Sequence, residues 1–465
     1  MAFRKHSLIV LFSLLILSAR AQSSEQNGYV KDFTILTASL KELYPMLYKM
    51  RDSASLENSI RDISGGLLHA RSRNEALYLF QSFMYEFGDV HAGVESIYAG
   101  LEVEKILPFK IILIGDSLFI KDFPSQPAFI GSRIESINGH KTENIIDSLN
   151  VLYGTDGNHV PGLVLQPLFN SFYAAFIEQS DSFRVATNKG IFWTHCIKKG
   201  DTEFEKMTSN SWKNYMVTDH DWVKMEINTD YAYFRFLSFD KKVNGINIET
   251  EFNKMLDELA KRNIPNLVID LRYNSGGDPY MAGRMASRLV EEPFAVFERL
   301  IVLQPSTITY PKNLEIDRSY AGDGVIKVGD HFEKMKGDKG LKPVMPAKNI
   351  FKGKIYVLTG PMTESTSTMF CKYLSSRKNV IFVGSETPGA INYFCAHKHC
   401  LVVLPNTNAR VSFGLQLIEL KKGSSNSEKP QGLVPDVKIN YSINDFLERK
   451  DKEMEWVINA IANPR

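Results

Sequence analysis

The spacing of hydrophobic and polar positions changes along the chain and divides it into regions. From residue 29 to about residue 90, apolar residues recur at i, i+3 and i+4, as in "LTASLKELYPMLYKM" and "RNEALYLFQSFMYEF", which predicts amphipathic helices. From about residue 100 to 200, short apolar runs are separated by turn residues. "LPFKIILIGDSLFI" predicts two strands around a Gly-Asp turn, and "GSRIESINGHKTENIIDSL" predicts a strand, an Asn-Gly turn and a helix from about Thr142.

From about residue 222 to 442, strand and helix patterns alternate. "YAYFRFLSF", "NLVIDLRY", "KIYVLTG" and "NVIFVGS" predict strands, and "IETEFNKMLDELAKR", "DPYMAGRMASRLV" and "STSTMFCKYLSS" predict helices. This alternation predicts an α/β layered core. Residues 300–350 fit the alternation poorly, so we expect a long excursion over the surface there. The tail "INDFLERKDKEMEWVINAIAN" has the pattern of an amphipathic helix.

The amino terminus has the pattern of a targeting segment. Met1–His6 is basic, Ser7–Ser18 is an apolar stretch of 12 residues, and Ala19-Arg20-Ala21 places small residues at a cleavage site. This pattern is typical of a secretory signal peptide cut after Ala21, and the stretch is short for a membrane span. An uncleaved signal anchor is the alternative. We therefore expect a periplasmic or extracellular protein that meets the membrane only transiently, through its signal peptide.

Composition restricts the class of protein and its partners. The 465 residues suggest two or three domains at roughly 100–200 residues each, and 44% hydrophobic with 23% charged residues is typical of a soluble globular protein. A formal net charge of +2, from 55 basic and 53 acidic residues, gives no electrostatic reason to propose a nucleic acid partner.

The four cysteines are too few for a scaffold built on disulfides. They are Cys196, Cys371, Cys395 and Cys400. The segment "CAHKHC" contains residue types that bind zinc, but its spacing matches none of the usual zinc patterns. We expect instead a short hairpin in which Cys395 and Cys400 are bridged after export. No metal ion or other cofactor is expected.

Two predicted strand ends carry candidate chemistry. In "TGPMTESTSTMF", residues 359–370, Ser365 lies where a turn meets a helix, and a helix amino terminus favours developing negative charge. A serine at this position is also an ordinary helix N-cap. In "LVIDLRYNSGGDP", two glycines follow a buried strand, and such a pair can turn backbone N–H groups outward as an oxyanion hole requires. An ordinary loop is the alternative.

These segments together resemble a known family. "NLVIDLRYNSGGD", "TESTSTMF", "VGSETPGA" and "GLVPDVKI" occur in the order found in the C-terminal-processing (tail-specific) and tricorn-core serine peptidases, and "IGSRIESINGHKT" resembles the end of that family's PDZ-like domain. The resemblance covers most of residues 85–440. It implies a crotonase-like (ClpP-like) α/β core with a PDZ-like domain and a helical amino-terminal region. The implied division is a signal peptide at 1–21, a helical region at 22–99, a PDZ-like domain at 100–200, a protease core at 215–445 and a C-terminal helix at 446–465.

The resemblance also assigns roles to residues. It places the nucleophile on Ser365 rather than Ser367, and the oxyanion-hole N–H groups on Gly276 and Thr366. Many members carry a lysine base in a "TFGKG" segment, where this chain has "TPGAI" with Ala390 at the lysine position.

The tricorn-like branch instead uses a histidine in a "GDxH" setting, which "EFGDVHAGV" supplies as His91. The acid that orients this histidine is expected to be a glutamate late in the core. Glu428 is the nearest candidate, with a solvated loop glutamate as the alternative.

The sequence thus predicts a secreted or periplasmic serine endopeptidase that cleaves peptide or protein substrates through an acyl-enzyme. A non-catalytic ligand- or peptide-binding protein on the same fold is the main alternative, because fold alone does not decide function. A hydrolase of small esters or amides is a third possibility. The natural substrate and the oligomeric state stay open.

Overall fold

The computed structural model describes residues 25–50, 53–156, 163–208, 221–320, 322, 324–329, 331–334, 337–421 and 429–463. The predicted signal peptide lies outside these residues. Within them, no helix is long and apolar enough to cross a membrane. The helices are 25–43 (α1), Leu47–Met50 (α2), Ser53–Leu67 (α3), Arg73–Tyr85 (α4), Thr142–Asn150 (α5), Phe169–Phe176 (α6), Thr202–Thr208 (α7), Ile248–Arg262 (α8), Pro279–Ser287 (α9), Thr366–Leu374 (α10), Ile443–Leu447 (α11) and Lys452–Ala462 (α12).

The strands form two large sheets and several small ones. They are Gly93–Val94 (β1), Lys105–Ile106 (β2), Lys110–Ile114 (β3), Ser117–Asp122 (β4), Ile134–Ile137 (β5), His140–Lys141 (β6), Ser182–Thr187 (β7), Gly190–His195 (β8), Ile197–Lys198 (β9), Val223–Ile227 (β10), Tyr231–Phe236 (β11), Lys242–Val243 (β12), Ile246–Asn247 (β13), Asn266–Asp270 (β14), Phe294–Ala295 (β15), Arg299–Val302 (β16), Leu314–Ile316 (β17), Val325–Val328 (β18), His331–Lys334 (β19), Pro343–Val344 (β20), Lys354–Thr359 (β21), Val380–Gly384 (β22), Tyr393–Val403 (β23), Arg410–Glu419 (β24) and Val437–Lys438 (β25).

A six-stranded sheet, in the order β10-β11-β14-β21-β22-β25, is the centre of the α/β core. All neighbours from β11 onward are parallel, and β10 is antiparallel to β11. Leu267 and Ile269 of β14 face the apolar core that holds side chains of α8, α9 and α10, whereas Val268 faces the core that holds Val457 of α12. Both faces of the sheet are covered, which explains why "NLVID" is nearly continuously hydrophobic.

A seven-stranded sheet has the order β17-β23-β24-β16-β19-β18, with β1 paired to β24. Four of its strands, β16 to β19, come from within or just before residues 300–350. The prediction of a surface excursion there was wrong in this respect. These strands are only three or four residues long and pair mostly with distant segments, so no local alternation revealed them.

The segment "CAHKHC" is part of one strand and not a hairpin. Cys395 and Cys400 both lie in β23, opposite Leu417 and Phe413 of β24, with an irregular register between Ala396 and His399. Five residues of extended chain span about 16 Å, at about 3.3 Å per residue. A disulfide needs Cα atoms within about 7 Å. The predicted hairpin and its bridge were therefore wrong, and both thiols are free and buried.

Local predictions in the other regions are confirmed. The β3–β4 hairpin turns at Gly115-Asp116, and β5 is followed by an Asn138-Gly139 turn and by α5 from Thr142. The strand β5 belongs to a four-stranded sheet in the order β6-β5-β7-β8. The tail differs from the prediction because it forms two helices, α11 and α12, and Arg449 between them has a positive φ of 53°.

Candidate active site

Three loops meet at the carboxyl ends of adjacent parallel strands. Residues 271–278 follow β14, residues 360–365 follow β21, and residues 385–392 follow β22. In open α/β sheets this edge is where ligands bind. The strand order therefore brings together Gly276, Ser365 and Ala390, which are far apart in the sequence.

Ser365 has an unusual backbone and a side chain that does not cap its helix. Its φ is 55° and its ψ is −127°, and it precedes α10 without a side-chain capping hydrogen bond. A non-glycine residue with positive φ is uncommon, and such strain clusters at functional sites. Ser367 behaves differently, since its buried hydroxyl donates to Asn274 Oδ1 at 2.6 Å. The two serines therefore differ: Ser365 has a strained backbone, whereas the hydroxyl of Ser367 makes a structural hydrogen bond.

Gly276 lies directly against the strained serine. A Cβ added to Gly276 would lie 2.9 Å from Ser365 Cβ and 3.1 Å from the backbone nitrogen of Thr366, and its φ is 110°. The Gly276 N–H donates to Asn274 Oδ1 at 2.9 Å. Among the described residues, the N–H groups of Gly277 and Thr366 have no intramolecular acceptor. Thr366 Oγ1 donates to the Gly277 carbonyl at 2.7 Å and fixes this turn against α10.

His91 lies in the turn between α4 and β1, where β1 attaches to β24 of the seven-stranded sheet. Its ring stacks on Phe394 with the centroids 5.3 Å apart and an interplanar angle of 19°. Asp89 accepts the His91 backbone N–H at 2.9 Å, and its Oδ1 lies 3.4 Å from Nδ1 of the ring. Both ring nitrogens are shielded from solvent, and neither makes a well-formed hydrogen bond with any described residue. Stacking therefore fixes the ring, and the Asp89 carboxylate lies near Nδ1.

Carboxylates around His91 control its protonation. Burial lowers the pKa of His91, but Asp89, Asp156 and Glu364 raise it by more, so the pKa stands above the usual histidine value. Glu364 immediately precedes Ser365, and burial raises its pKa although a hydrogen bond from Tyr153 opposes this. The Tyr153 hydroxyl donates to Glu364 Oε2 at 2.7 Å. The histidine and the loop before Ser365 therefore lie within electrostatic reach of one another.

Asp89, His91 and Asp156 are the one group among the described residues whose side chains could hold a metal ion. Their ligand atoms lie within 4.8 Å of one another. Each of the four carboxylate oxygens already accepts a hydrogen bond from an N–H or O–H group of the protein. This network accounts for the arrangement of the two carboxylates without a bound ion.

Several neighbours of His91 were not predicted from the sequence. Asp156 lies in no motif, and Glu364 lies in "TESTSTMF" without a role assigned to it by the resemblance. His399 matched no motif of the family either, but burial and the nearby His91 lower its pKa, which places it close to the candidate base. Glu428, the predicted orienting acid, lies outside the described residues.

A groove of about 580 Å³ lies elsewhere on the core, lined by residues such as Leu256, Arg288 and Phe351. It also contacts Pro265 and Gly353, which immediately precede β14 and β21. These are the amino ends of the parallel strands, so the groove is separate from the site around Ser365.

Comparison with known proteins agrees with this geometry. Residues 230–439 match the model of peptidase family S41. The fold is similar to that of mature CPAF, with a TM-score of 0.62, 16% sequence identity, and coverage of 95% of this chain and 99% of that chain. It is also similar to mature CPAF complexed with lactacystin, with a TM-score of 0.62, 17% identity, and coverage of 95% and 100%.

No curated protein matches the chain by sequence. The family match covers the three loops that carry Gly276, Ser365 and Ala390. Residues 230–439 therefore carry a domain of peptidase family S41, the C-terminal-processing peptidases that the motifs of this chain resemble, and the chain is a serine peptidase.

Proposed function

We propose that the chain is an exported serine endopeptidase in which Ser365 is the nucleophile and His91 is the general base. The observation that carries this proposal is the state of Ser365, which has a strained backbone and an uncapped hydroxyl at the start of α10. His91 supports it, because its ring nitrogens make no well-formed hydrogen bond with a described residue and Asp89 Oδ1 lies 3.4 Å from Nδ1. Ala390 supports it too, since no lysine side chain is present where many family members carry their base.

The reaction follows from these positions. Ser365 Oγ attacks the carbonyl carbon of the scissile peptide bond while His91 takes the hydroxyl proton. The tetrahedral oxyanion is stabilised by backbone N–H groups at Gly276 and Thr366 and by the dipole of α10, and each such donor is worth roughly 10²–10³ in rate. The oxyanion then collapses, the peptide C–N bond breaks, and His91 gives its proton to the leaving amine. Water then attacks the acyl carbon while His91 takes its proton, the bond from this carbon to Ser365 Oγ breaks, and His91 returns the proton to Ser365.

The oxyanion hole needs one local adjustment. The Gly276 N–H donates to Asn274 in the structure, so it must share or exchange this acceptor when it binds an oxyanion. The free N–H groups of Thr366 and Gly277 are available without any change. A hole built on this turn is therefore compatible with the described geometry.

The domain assignment and the export belong to the same proposal. We assign residues 100–200 to a PDZ-like domain, on the order of their strands and helices and on the "IGSRIESINGHKT" segment. Residues 215–445 form the crotonase-like protease core, and residues 22–99 the helical region. Export rests on the amino-terminal sequence pattern. The substrates are peptides or proteins.

Labelling with a fluorophosphonate probe tests the nucleophile. We expect the wild-type protein to be labelled at Ser365 and to cleave an unfolded protein substrate faster than a short ester. The Ser365→Ala variant should lose both labelling and cleavage. The matched control is Ser367→Ala, which removes a structural hydrogen bond and should keep most of the activity. Full cleavage by Ser365→Ala would contradict the assignment, and an inert Ser365 in folded protein would favour the non-catalytic alternative.

A further inference from the structure

Residues Tyr153–Asp156, which we name the strap, contact the loop that carries His91. A Cβ added to Gly154 would lie 2.7 Å from the carbonyl oxygen of Asp89 and 3.3 Å from the Cα of Val90. Asp156 Oδ1 accepts the Val90 N–H at 2.8 Å. The strap therefore packs on the backbone of the two residues that immediately precede the histidine.

The same strap contacts the loops around the nucleophile. Asp156 Oδ2 accepts the Ala390 N–H at 2.8 Å, and the Asp156 N–H donates to the Pro388 carbonyl at 3.0 Å. At the other end of the strap, the Tyr153 hydroxyl donates to Glu364, the residue before the nucleophile. The strap thus makes hydrogen bonds both to the loop that carries His91 and to the loops around Ser365.

The loop held by Asp156 lies directly against Ser365. A Cβ added to Gly389 would lie 2.9 Å from the Ser365 backbone nitrogen and 2.8 Å from the Cα of Glu364. Residues 388–390 therefore pack directly against the backbone that carries the nucleophile. The Asp156 carboxylate thus connects the loop that carries His91 with the loop that packs against Ser365.

This connection matters because the two reacting groups belong to different sheets. His91 precedes β1, which pairs with β24 in the seven-stranded sheet, whereas Ser365 follows β21 of the six-stranded sheet. A misplacement of about 1 Å between reacting groups can cost about 10²-fold in rate. Asp156 is completely buried, so its bonds to the two loops are protected from competition with water.

We propose that Asp156 is a positioning residue, which sets the distance between His91 and Ser365 by holding the N–H groups of Val90 and Ala390 on one carboxylate. This inference rests on the proposed roles of His91 and Ser365. Asp156 lies outside the segments that carry the family resemblance. It binds the backbone N–H of Ala390, the residue that stands where many family members carry a lysine.

The charge of Asp156 provides a signature that a purely structural role lacks. The groups that face His91 are Asp89 on its own loop, Asp156 on the strap, Glu364 beside the nucleophile, and His399 on β23. The three carboxylates raise the pKa of His91. Burial raises the pKa of Asp156 to about 7, although the nearby His91 opposes this, so the acid limb of the wild type reports the titration of both groups. In Asp156→Asn the limb reports His91 without the Asp156 charge, and it moves to lower pH.

Three variants of the full-length mature protein test this inference. Asp156→Asn keeps the shape but removes the charge, and its single oxygen cannot serve both N–H groups as before. Gly154→Ala pushes on the Asp89 carbonyl without a change of charge. Asp147→Asn, an exposed position on α5, is the matched control. The measurements are the rate of fluorophosphonate labelling at Ser365 and kcat/KM for a peptide, both as a function of pH, with the thermal unfolding midpoint.

We expect Asp156→Asn to lower the plateau of both rates at least tenfold and to move the acid limb to lower pH. Gly154→Ala should lower the plateau without moving the limb, and Asp147→Asn should change neither. An Asp156→Asn variant with wild-type plateau rates would overturn the inference, and so would one whose plateau falls while the acid limb stays unmoved. Wild-type protein that is not labelled at Ser365 would instead overturn the proposed function, and the inference with it.

Discussion

Gly276 touches Ser365 so closely that a Cβ on the glycine would lie 2.9 Å from the serine Cβ. The turn that would hold the oxyanion and the residue that would attack are therefore packed as one unit. Gly276→Ala introduces this clash at a φ of 110°, a conformation that L-residues rarely adopt. We expect kcat/KM to fall by about 10²-fold or more, the scale of losing an oxyanion donor.

The control for this variant is Gly200→Ala, which has a similar φ of 96° but no atom within 4 Å of the added Cβ. Gly200→Ala should introduce backbone strain without a steric clash, and its kcat/KM should equal that of the wild type. Both variants should keep the circular dichroism spectrum of the wild type. Equal kcat/KM for Gly276→Ala and wild type would remove Gly276 from the site.

The pH dependence of kcat/KM should report His91. A histidine base must be neutral to accept a proton, and the unperturbed value predicts an acid limb at roughly pH 6–7. Since the surrounding carboxylates raise the pKa of His91, we expect the limb on the alkaline side of the usual histidine value. Activity should be full above this pKa and should be lost as the pH falls through it.

Substitution separates this histidine from any other base. His91→Ala and His91→Gln should each lose about as much activity as Ser365→Ala, because members of one catalytic unit do not act additively. His399→Gln, on β23, is the control, and its Ser365 should still react with the fluorophosphonate probe. Wild-type kcat/KM in the His91 variants would require a different base, such as a lysine from elsewhere in the chain.

Arg272 should be important for stability. Its buried guanidinium donates hydrogen bonds to Asp270, Asp451 and Glu453 at 2.7–3.0 Å, which joins β14 to α12. Arg272→Ala leaves buried carboxylates without their partner, at a cost of about 3–5 kcal/mol in the free energy of unfolding.

Urea denaturation measures this loss. The control is Arg284→Ala, which breaks a more exposed pair with Glu249 and should cost about 0–1 kcal/mol. The Arg272 carbonyl also accepts the Met362 N–H at 3.3 Å, and Arg272→Ala retains this backbone bond. Equal unfolding midpoints for the two arginine variants would contradict the importance of the buried network.

The cysteines should be free thiols. Iodoacetamide treatment of the unfolded protein without reductant should alkylate Cys196, Cys371, Cys395 and Cys400 alike. In the folded protein Cys196, which is only half-buried, should react first. Burial raises the pKa of Cys400 to about 12 and that of Cys395 well above its usual range, so few thiolates are present to react. A disulfide-linked peptide containing Cys395 and Cys400 would contradict the strand geometry.

For many elements with a local sequence signal, the prediction agreed with the structure. The strands β14, β21 and β22 and the helices α8 and α10 follow from hydrophobic periodicity, because each buries a face that its own residues define. The turns at Gly115-Asp116 and Asn138-Gly139 follow from residues that adopt positive φ. Ser365 could be singled out because a strand, a turn and a helix start are all encoded within a dozen residues.

The tertiary structure alone decided which residues meet. Asp156 lies 65 residues after His91 and 209 residues before Ser365, and no pattern within its own segment indicates that it bonds to Val90 and Ala390. Likewise, "CAHKHC" becomes a strand and not a hairpin because β24 offers its backbone groups along nine paired positions. Hydrogen bonds between distant segments and the burial of charge depend on the packing of whole sheets, so a local pattern does not contain them.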